Sequence, residues 1–218
     1  MIKNFCHEPG LINQYIAELR DVNIQHDSLR FRRNLERVGE IMAYEISKTL
    51  HYKKTEVDTP LGTSTMLTLE DSLVNATILR AGLPLHQGFL NYFDSAENAF
   101  ITAHREYNED GSFYINFGHI SSPSIDGKIL ILSDPMLASG ASMKLAFEAL
   151  LERGTPKHTH FVTVIASQEG VDYLDQQVLQ KHNNVSLWIG GADPLLNDKS
   201  YIVPGLGDAG DLAFGKKL

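Results

Sequence analysis

The stretch Gly127-Lys128-Ile129-Leu130-Ile131-Leu132-Ser133-Asp134-Pro135-Met136-Leu137-Ala138-Ser139-Gly140-Ala141-Ser142 decides the fold. Ile129 to Leu132 is an unbroken aliphatic run, the pattern of a strand buried on both faces of a parallel sheet. Asp134 stands where that strand stops, and small residues with two serine hydroxyls fill the turn behind it. From about Ala141, Met143-Lys144-Leu145-Ala146-Phe147-Glu148-Ala149-Leu150-Leu151 reads as a helix. The first turn of such a helix points free backbone N–H groups, and the positive end of the macrodipole, into a small-residue pocket. That arrangement suits a phosphate, and the nearby carboxylate can accept hydrogen bonds from sugar hydroxyls. Together they suggest a phosphorylated sugar. The same residues equally make an ordinary strand–turn–helix with a capping serine, and the stretch alone does not separate the two.

Working outward, Asn75 to Leu79, Ala99 to Ala103, His160 to Ser167 and Val185 to Ile189 read as further strands, the last closed by Gly190-Gly191. Helices are expected from Pro84 to Phe93 and from Val171 to Lys181, with Pro84 suited to a first turn. Strands alternating with helices at this spacing call for a doubly wound parallel sheet. Arg80 falls at the carboxyl end of its strand, where open α/β sheets bind ligands, although a structural salt bridge explains it equally well. Toward the N-terminus, Leu11 to Arg20 reads as a weakly amphipathic helix. Asp27 or Ser28 caps a longer one, whose apolar stripe runs through Phe31, Leu35, Val38, Met42, Ile46 and Leu50. Its opening arginines, Arg30, Arg32, Arg33 and Arg37, read first as a face balanced by Glu36, Glu40 and Glu45, with an effector or subunit contact as the alternative. Thr55 to Leu69 alternates around Thr59-Pro60-Leu61-Gly62 as a β-hairpin arm, and Tyr107 to Ser124 as a hairpin or flap.

At 218 residues with 43% hydrophobic residues, the chain has the composition of an ordinary globular protein. One cysteine, Cys6, excludes an intrachain disulfide and fits a reducing compartment; with no apolar leader, a cytoplasmic protein is expected. No apolar run is long enough to span a bilayer. A net charge of −8 argues against a nucleic-acid surface. It also means that a polyanion must be met by locally gathered cations: arginines, helix N-termini or a metal.

Other motifs carry less. Gly205-Leu206-Gly207-Asp208-Ala209-Gly210 satisfies G-x-G-x-x-G, but Pro204 interrupts the preceding strand and only eight residues follow Gly210. A βαβ unit of about thirty residues cannot be completed there. The stretch from Tyr201 to Asp211 reads instead as a bare loop that lets a flat ligand approach its backbone. His158 and His160 alternate on one strand face without a third metal ligand, so exposure at the strand start is expected. Nothing marks His86 or His119 as a base.

Asp134 to Ser142 resembles the phosphoribosyl pyrophosphate (PRPP) loop of type I phosphoribosyltransferases. Ile78-Leu79-Arg80-Ala81-Gly82, Thr59-Pro60-Leu61-Gly62, Leu19-Arg20-Asp21 and Tyr201 to Asp211 resemble the uracil phosphoribosyltransferase family in particular, in matching order over nearly the whole chain. The resemblance implies a twisted parallel α/β core flanked by helices, with a β-arm, a flap and a hood made by terminal segments. It implies one domain over 1–218: N-terminal helices in 1–54, arm in 55–70, core in 71–190 with the flap at about 105–125, and base-binding hood in 191–218. It implies transfer of a 5-phosphoribosyl group from PRPP to uracil, giving UMP and pyrophosphate, with Mg²⁺ carried through PRPP and water. Asp134 would hold the ribose hydroxyls. Ala138, Ser139, Gly140, Ala141 and Ser142 would wrap the 5'-phosphate, with Pro135, Met136 and Leu137 also among the PRPP-binding residues. Arg80 and Arg105 would face pyrophosphate, Asp208 would sit beside PRPP, and Ile202, Gly207, Asp208 and Ala209 would form the uracil site. The resemblance also implies a homodimer or higher homo-oligomer and raises a GTP-like effector. A non-catalytic PRPP or nucleotide sensor on the same fold is the alternative. Ala141 stands where a glycine is common, so a positive φ at that position would bring a clash; Ser139 keeps the hydroxyl of a common threonine; Leu212 replaces a common basic residue; and Asn116 to Lys128 departs from the usual flap.

Overall fold

The computed structural model describes residues 1–107 and 113–217, without the side chains of 103–117. The chain opens with a short strand, β1 (Ile2–Asn4), followed by helices α1 (Leu11–Arg20) and α2 (Ser28–Ser47). Asp27 caps α2 by accepting from the Arg30 N–H at 3.0 Å. The arm follows as β2 (Tyr52–Thr59) and β3 (Gly62–Leu69), paired antiparallel across the Pro60-Leu61 turn and beginning three residues earlier than the alternation suggests. The core then alternates β4 (Leu73–Leu79), α3 (Leu83–Leu90), β5 (Glu97–Tyr107), β6 (Phe113–Ser121), β7 (Ile129–Ser133), β8 (Met136–Leu137), α4 (Ala141–Leu151), β9 (His158–Ser167), α5 (Gln168–Leu174) and β10 (Val185–Asp193). A widened π turn over Asp175–Leu179 extends α5. The chain closes with β11 (Leu195–Leu196), β12 (Ile202–Val203) and α6 (Ala209–Phe214).

The sheet order is β1-β10-β9-β7-β4-β5-β6, parallel except for the antiparallel edge pair β5–β6, with β8 also on β9. Alternation along the buried strands sorts side chains to the two faces. Ile129 and Ile131 face the layer of α1, α2 and α3, while Leu130 and Leu132 face α4 and α5. Both faces are therefore covered, which is why β7 reads as a continuous aliphatic run. On the first face α2 and α3 cross closely at Gly39 and Gly88, where a Cβ on Gly88 would lie 2.1 Å from the Glu36 carbonyl.

Four readings of the sequence need correction. β10 runs through Gly190-Gly191 to Asp193, because those glycines lie in close contact with the Val164 backbone and with Cys6 and leave no room for side chains. The helix after β9 starts at Gln168, earlier than Val171, because the Ser167 side chain caps it. The supposed bare loop after Tyr201 contains β12 and the short helix α6. His160 is not exposed: it is 2% accessible, with Nδ1 2.9 Å from Ser186 Oγ and accepting from Trp188 Nε1 at 3.0 Å. Burial drives its pKa down to about 3. His158 is half-buried and reaches the same serine at 2.9 Å.

Candidate active site

The strand order reverses its direction of growth between β4 and β7: β4 leads through α3 to β5 on one side, β7 through α4 to β9 on the other. Ligands of open α/β sheets bind at the carboxyl ends of the strands at such a point. The two strand ends are tied reciprocally, Thr77 Oγ1 donating to the Ser133 carbonyl at 3.1 Å and Ser133 Oγ to the Ala76 carbonyl at 3.2 Å. Arg80 leaves the end of β4 and Asp134 the end of β7. A cleft of about 290 Å³ opens there.

One wall is the turn between β7 and α4. Asp134 accepts from the Met136 N–H at 3.2 Å, and burial pushes its carboxyl up to about 7. Gly140 takes φ +80° immediately before α4, and no side chain caps that helix, whereas Asp27, Ser167 and Asp208 cap α2, α5 and α6. The first-turn N–H groups of α4 are thus available to an anion, with Ser142 at the cleft surface. The clash foreseen at Ala141 does not arise, because the positive φ falls on Gly140 and Ala141 is the first helical residue.

The opposite wall is β12 and α6. Ile202, Gly207, Asp208 and Ala209 line it, and Asp208 Oδ1 caps α6 through the Asp211 N–H at 2.9 Å. Arg80 reaches across: its Nη2 lies 3.6 Å from Asp211 Oδ1 and donates to the Gly215 carbonyl at 3.3 Å. The ion-pair reading of Arg80 is thus met by Asp211, while the side chain also lines the cleft.

The cleft brings together Arg80, Asp134, Met136, Ala138, Ser142, Ile202, Gly207, Asp208 and Ala209. Pro135, Leu137, Ser139, Gly140 and Ala141 shape the turn without lining the cleft. The side chain of Arg105 lies outside the described residues. Sequence reasoning missed Ser200 and Lys217 as lining residues. The basic pair Lys216-Lys217 was the available signal for the second; nothing local marks Ser200, a non-glycine at φ +59°. The arginines of α2 are engaged within the chain: Arg30 with Glu18, Arg33 with Glu36, Arg37 with Asn34, and Arg32 with the Ala213 carbonyl.

The model of the family described as uracil phosphoribosyltransferase matches residues 7–216. A uracil phosphoribosyltransferase of Porphyromonas gingivalis is 56% identical over 211 residues, 97% of this chain and 96% of its own. One from Methanothermobacter thermautotrophicus is 41% identical over 192 residues, 87% of this chain and 86% of its own. A solved structure of a protein from Aquifex aeolicus superposes with a TM-score of 0.85 at 29% identity, covering 99% of this chain and 98% of that one. Among the described residues no helix is long and apolar enough to cross a membrane.

Proposed function

The chain belongs to the uracil phosphoribosyltransferase family, and on that premise we propose that it transfers the 5-phosphoribosyl group of PRPP to uracil, releasing pyrophosphate and forming UMP. The observation that carries the reading is the convergence, in one cleft, of the α4 N-terminus, Asp134 and Arg80 on one side with Gly207, Asp208 and Ala209 on the other.

The 5'-phosphate is taken by the uncapped first turn of α4 and the Ser142 hydroxyl. Ionised Asp134 accepts hydrogen bonds from the ribose hydroxyls. As the bond from the anomeric carbon to pyrophosphate breaks and the bond to the base nitrogen forms, positive charge builds on the sugar and negative charge on the leaving group, and the base nitrogen gives up its proton to pyrophosphate or water. Arg80 stabilises the leaving group from a fixed position, and Arg105 is assigned the same task by the family resemblance. Backbone groups of Ile202, Gly207 and Ala209 meet the edge of the planar base, and Asp208 stands beside the sugar. Asp134 and Asp208 supply hard oxygen donors at the cleft that would suit Mg²⁺. The ion would be held mainly by phosphate oxygens and water and would neutralise charge on pyrophosphate. The arm presents Val57, Leu61, Met66 and Leu67 to solvent, which supports a homodimer or larger homo-oligomer, to be read by light scattering.

A spectrophotometric assay with uracil, PRPP and Mg²⁺ is expected to yield UMP, and its absence would overturn the reading. Tight PRPP binding by calorimetry without turnover would favour a sensor instead. Asp208→Asn, which keeps an acceptor for the α6 cap, is expected to lower kcat by about a hundredfold with unchanged thermal stability. Asp208→Ala additionally loses the cap, worth about 1 kcal/mol. Near-wild-type turnover in the Asn variant would move Asp208 out of the site.

A further inference from the structure

The wall of the cleft facing Asp134 includes Gly207, Ala209 and Gly210, which have little or no side chain, and a backbone surface recognises a flat ligand only as well as its own conformation is fixed. Directly behind it, Gly205 has both peptide groups captured. Its N–H donates to Asp193 Oδ2 at 2.8 Å, and its carbonyl accepts from Arg20 Nη1 at 2.9 Å. Arg20 is itself locked by the same carboxylate, Nη1 to Oδ2 at 2.7 Å and Nη2 to Oδ1 at 2.8 Å. The next carbonyl, that of Leu206, accepts from Gln25 Nε2 at 3.2 Å, and the same amide holds the Leu19 carbonyl at 2.9 Å. Gly205 stands at φ +58°, where a Cβ would come within 2.1 Å of the Ile202 carbonyl, so the loop is also folded tightly on β12. None of Arg20, Gln25 and Asp193 lines the cleft.

Stability does not account for this pair. A largely desolvated ion pair contributes little net free energy compared with apolar side chains of the same volume; its product is geometry. The two-pronged contact comes from the last residue of α1 and the last residue of β10, both anchored in the core. It therefore transfers the rigidity of the sheet to a loop whose two glycines carry no side chains and whose own anchor is the buried Leu206.

We propose that Arg20 and Asp193, assisted by Gln25, are positioning residues that fix the Gly205–Gly207 backbone in the conformation that selects the pyrimidine base, without touching the base themselves. The inference rests on the function proposed above. The double variant Arg20→Met/Asp193→Asn removes both charges at once and leaves no unpaired buried ion. It is expected to raise KM for uracil about tenfold, the loss of one or two charge-assisted hydrogen bonds, while KM for PRPP and kcat stay within about twofold. In the unliganded variant, amide hydrogen exchange should quicken at Gly205 to Gly207 and not in β4 or β7. Arg20→Lys alone should recover part of the uracil affinity. A parallel rise in both KM values, or an unchanged uracil KM, would overturn the proposal. Should the double variant fail to fold, Gln25→Leu is expected to give a smaller rise in KM for uracil alone, and its failure to do so would overturn the proposal equally. If the wild-type protein does not turn over uracil at all, the function reading falls; the amide exchange of the unliganded protein then decides the positioning role by itself.

Discussion

Near neutral pH the Asp134 carboxyl stands close to half-titrated, because burial in the cleft wall raises it to about 7 against a single hydrogen bond from the Met136 N–H. An unfolded aspartate ionises near 3.8, so between that value and about 7 the native state keeps a proton that the unfolded chain has lost. Native stability therefore falls as pH rises through that window, by at most about 1.4 kcal/mol per pH unit. Asp134→Asn removes the dependence, and urea unfolding is expected to show the variant gaining on the wild type between about pH 4 and about pH 7. The same proton governs the proposed sugar contact, since only the carboxylate can accept from ribose hydroxyls with both oxygens. KM for PRPP is thus expected to fall as pH rises through about 7, a profile that should be flat in the Asn variant. An identical profile in both proteins would remove Asp134 from the ribose site.

At the scale of elements, the turn between β7 and α4 is shaped from outside as much as from within. Ser167 Oγ donates to the Ala138 carbonyl at 2.5 Å and accepts from the Gly170 N–H at 2.8 Å, so the start of α5 braces the turn. Gly140 fits its left-handed conformation into that brace, where a Cβ would stand 2.9 Å from Tyr173 Cδ1 and 3.0 Å from the Gly170 carbonyl. Gly140→Ala is expected to cost about 1–2 kcal/mol in denaturant unfolding and to raise KM for PRPP with little change for uracil. A fully stable variant with wild-type kinetics would show that the turn tolerates displacement. The strand before this turn and the helix after it were the most legible part of the sequence: four consecutive aliphatics, an acid and small residues state their own conformation. β1, β8 and α6 were not legible, because elements of two to six residues carry no usable period and form only through partners far away in the chain. The alternation at His158 and His160 gave the shared face correctly, yet the burial of that face depends on Trp188 and Ser186 from β10. Arg20 and Asp193 lie 173 positions apart, so their meeting could be read only from the folded chain.

Across the whole molecule the sheet separates two kinds of polar chemistry. Its carboxyl edge carries the cleft; its amino edge carries the cluster of His158, His160, Ser186 and Trp188, close to the first strand. His160 is held neutral there with a pKa of about 3, against 6.5 in an unfolded chain. Its contribution to stability is present above about 6.5 and is lost progressively as pH falls toward 3, opposite in sign to that of Asp134. His160→Gln is expected to flatten the acid side of the stability profile by up to about 1.4 kcal/mol per pH unit, read as the difference between variant and wild type in urea midpoints. An unchanged difference at every pH would mean that the cluster admits protons more readily than its burial implies. The contact of Arg20 with Gly205 and Asp193 has a further consequence for descent. The wall proposed to face the base falls within positions 200–210, yet the groups that hold its backbone sit at positions 20, 25 and 193. A chimera that imports only that wall from a relative would receive its letters without its template. Under the positioning role proposed above, heredity of base preference in this chain is divided among the first helix with the turn after it, the last core strand and the glycine loop, and those three must change together.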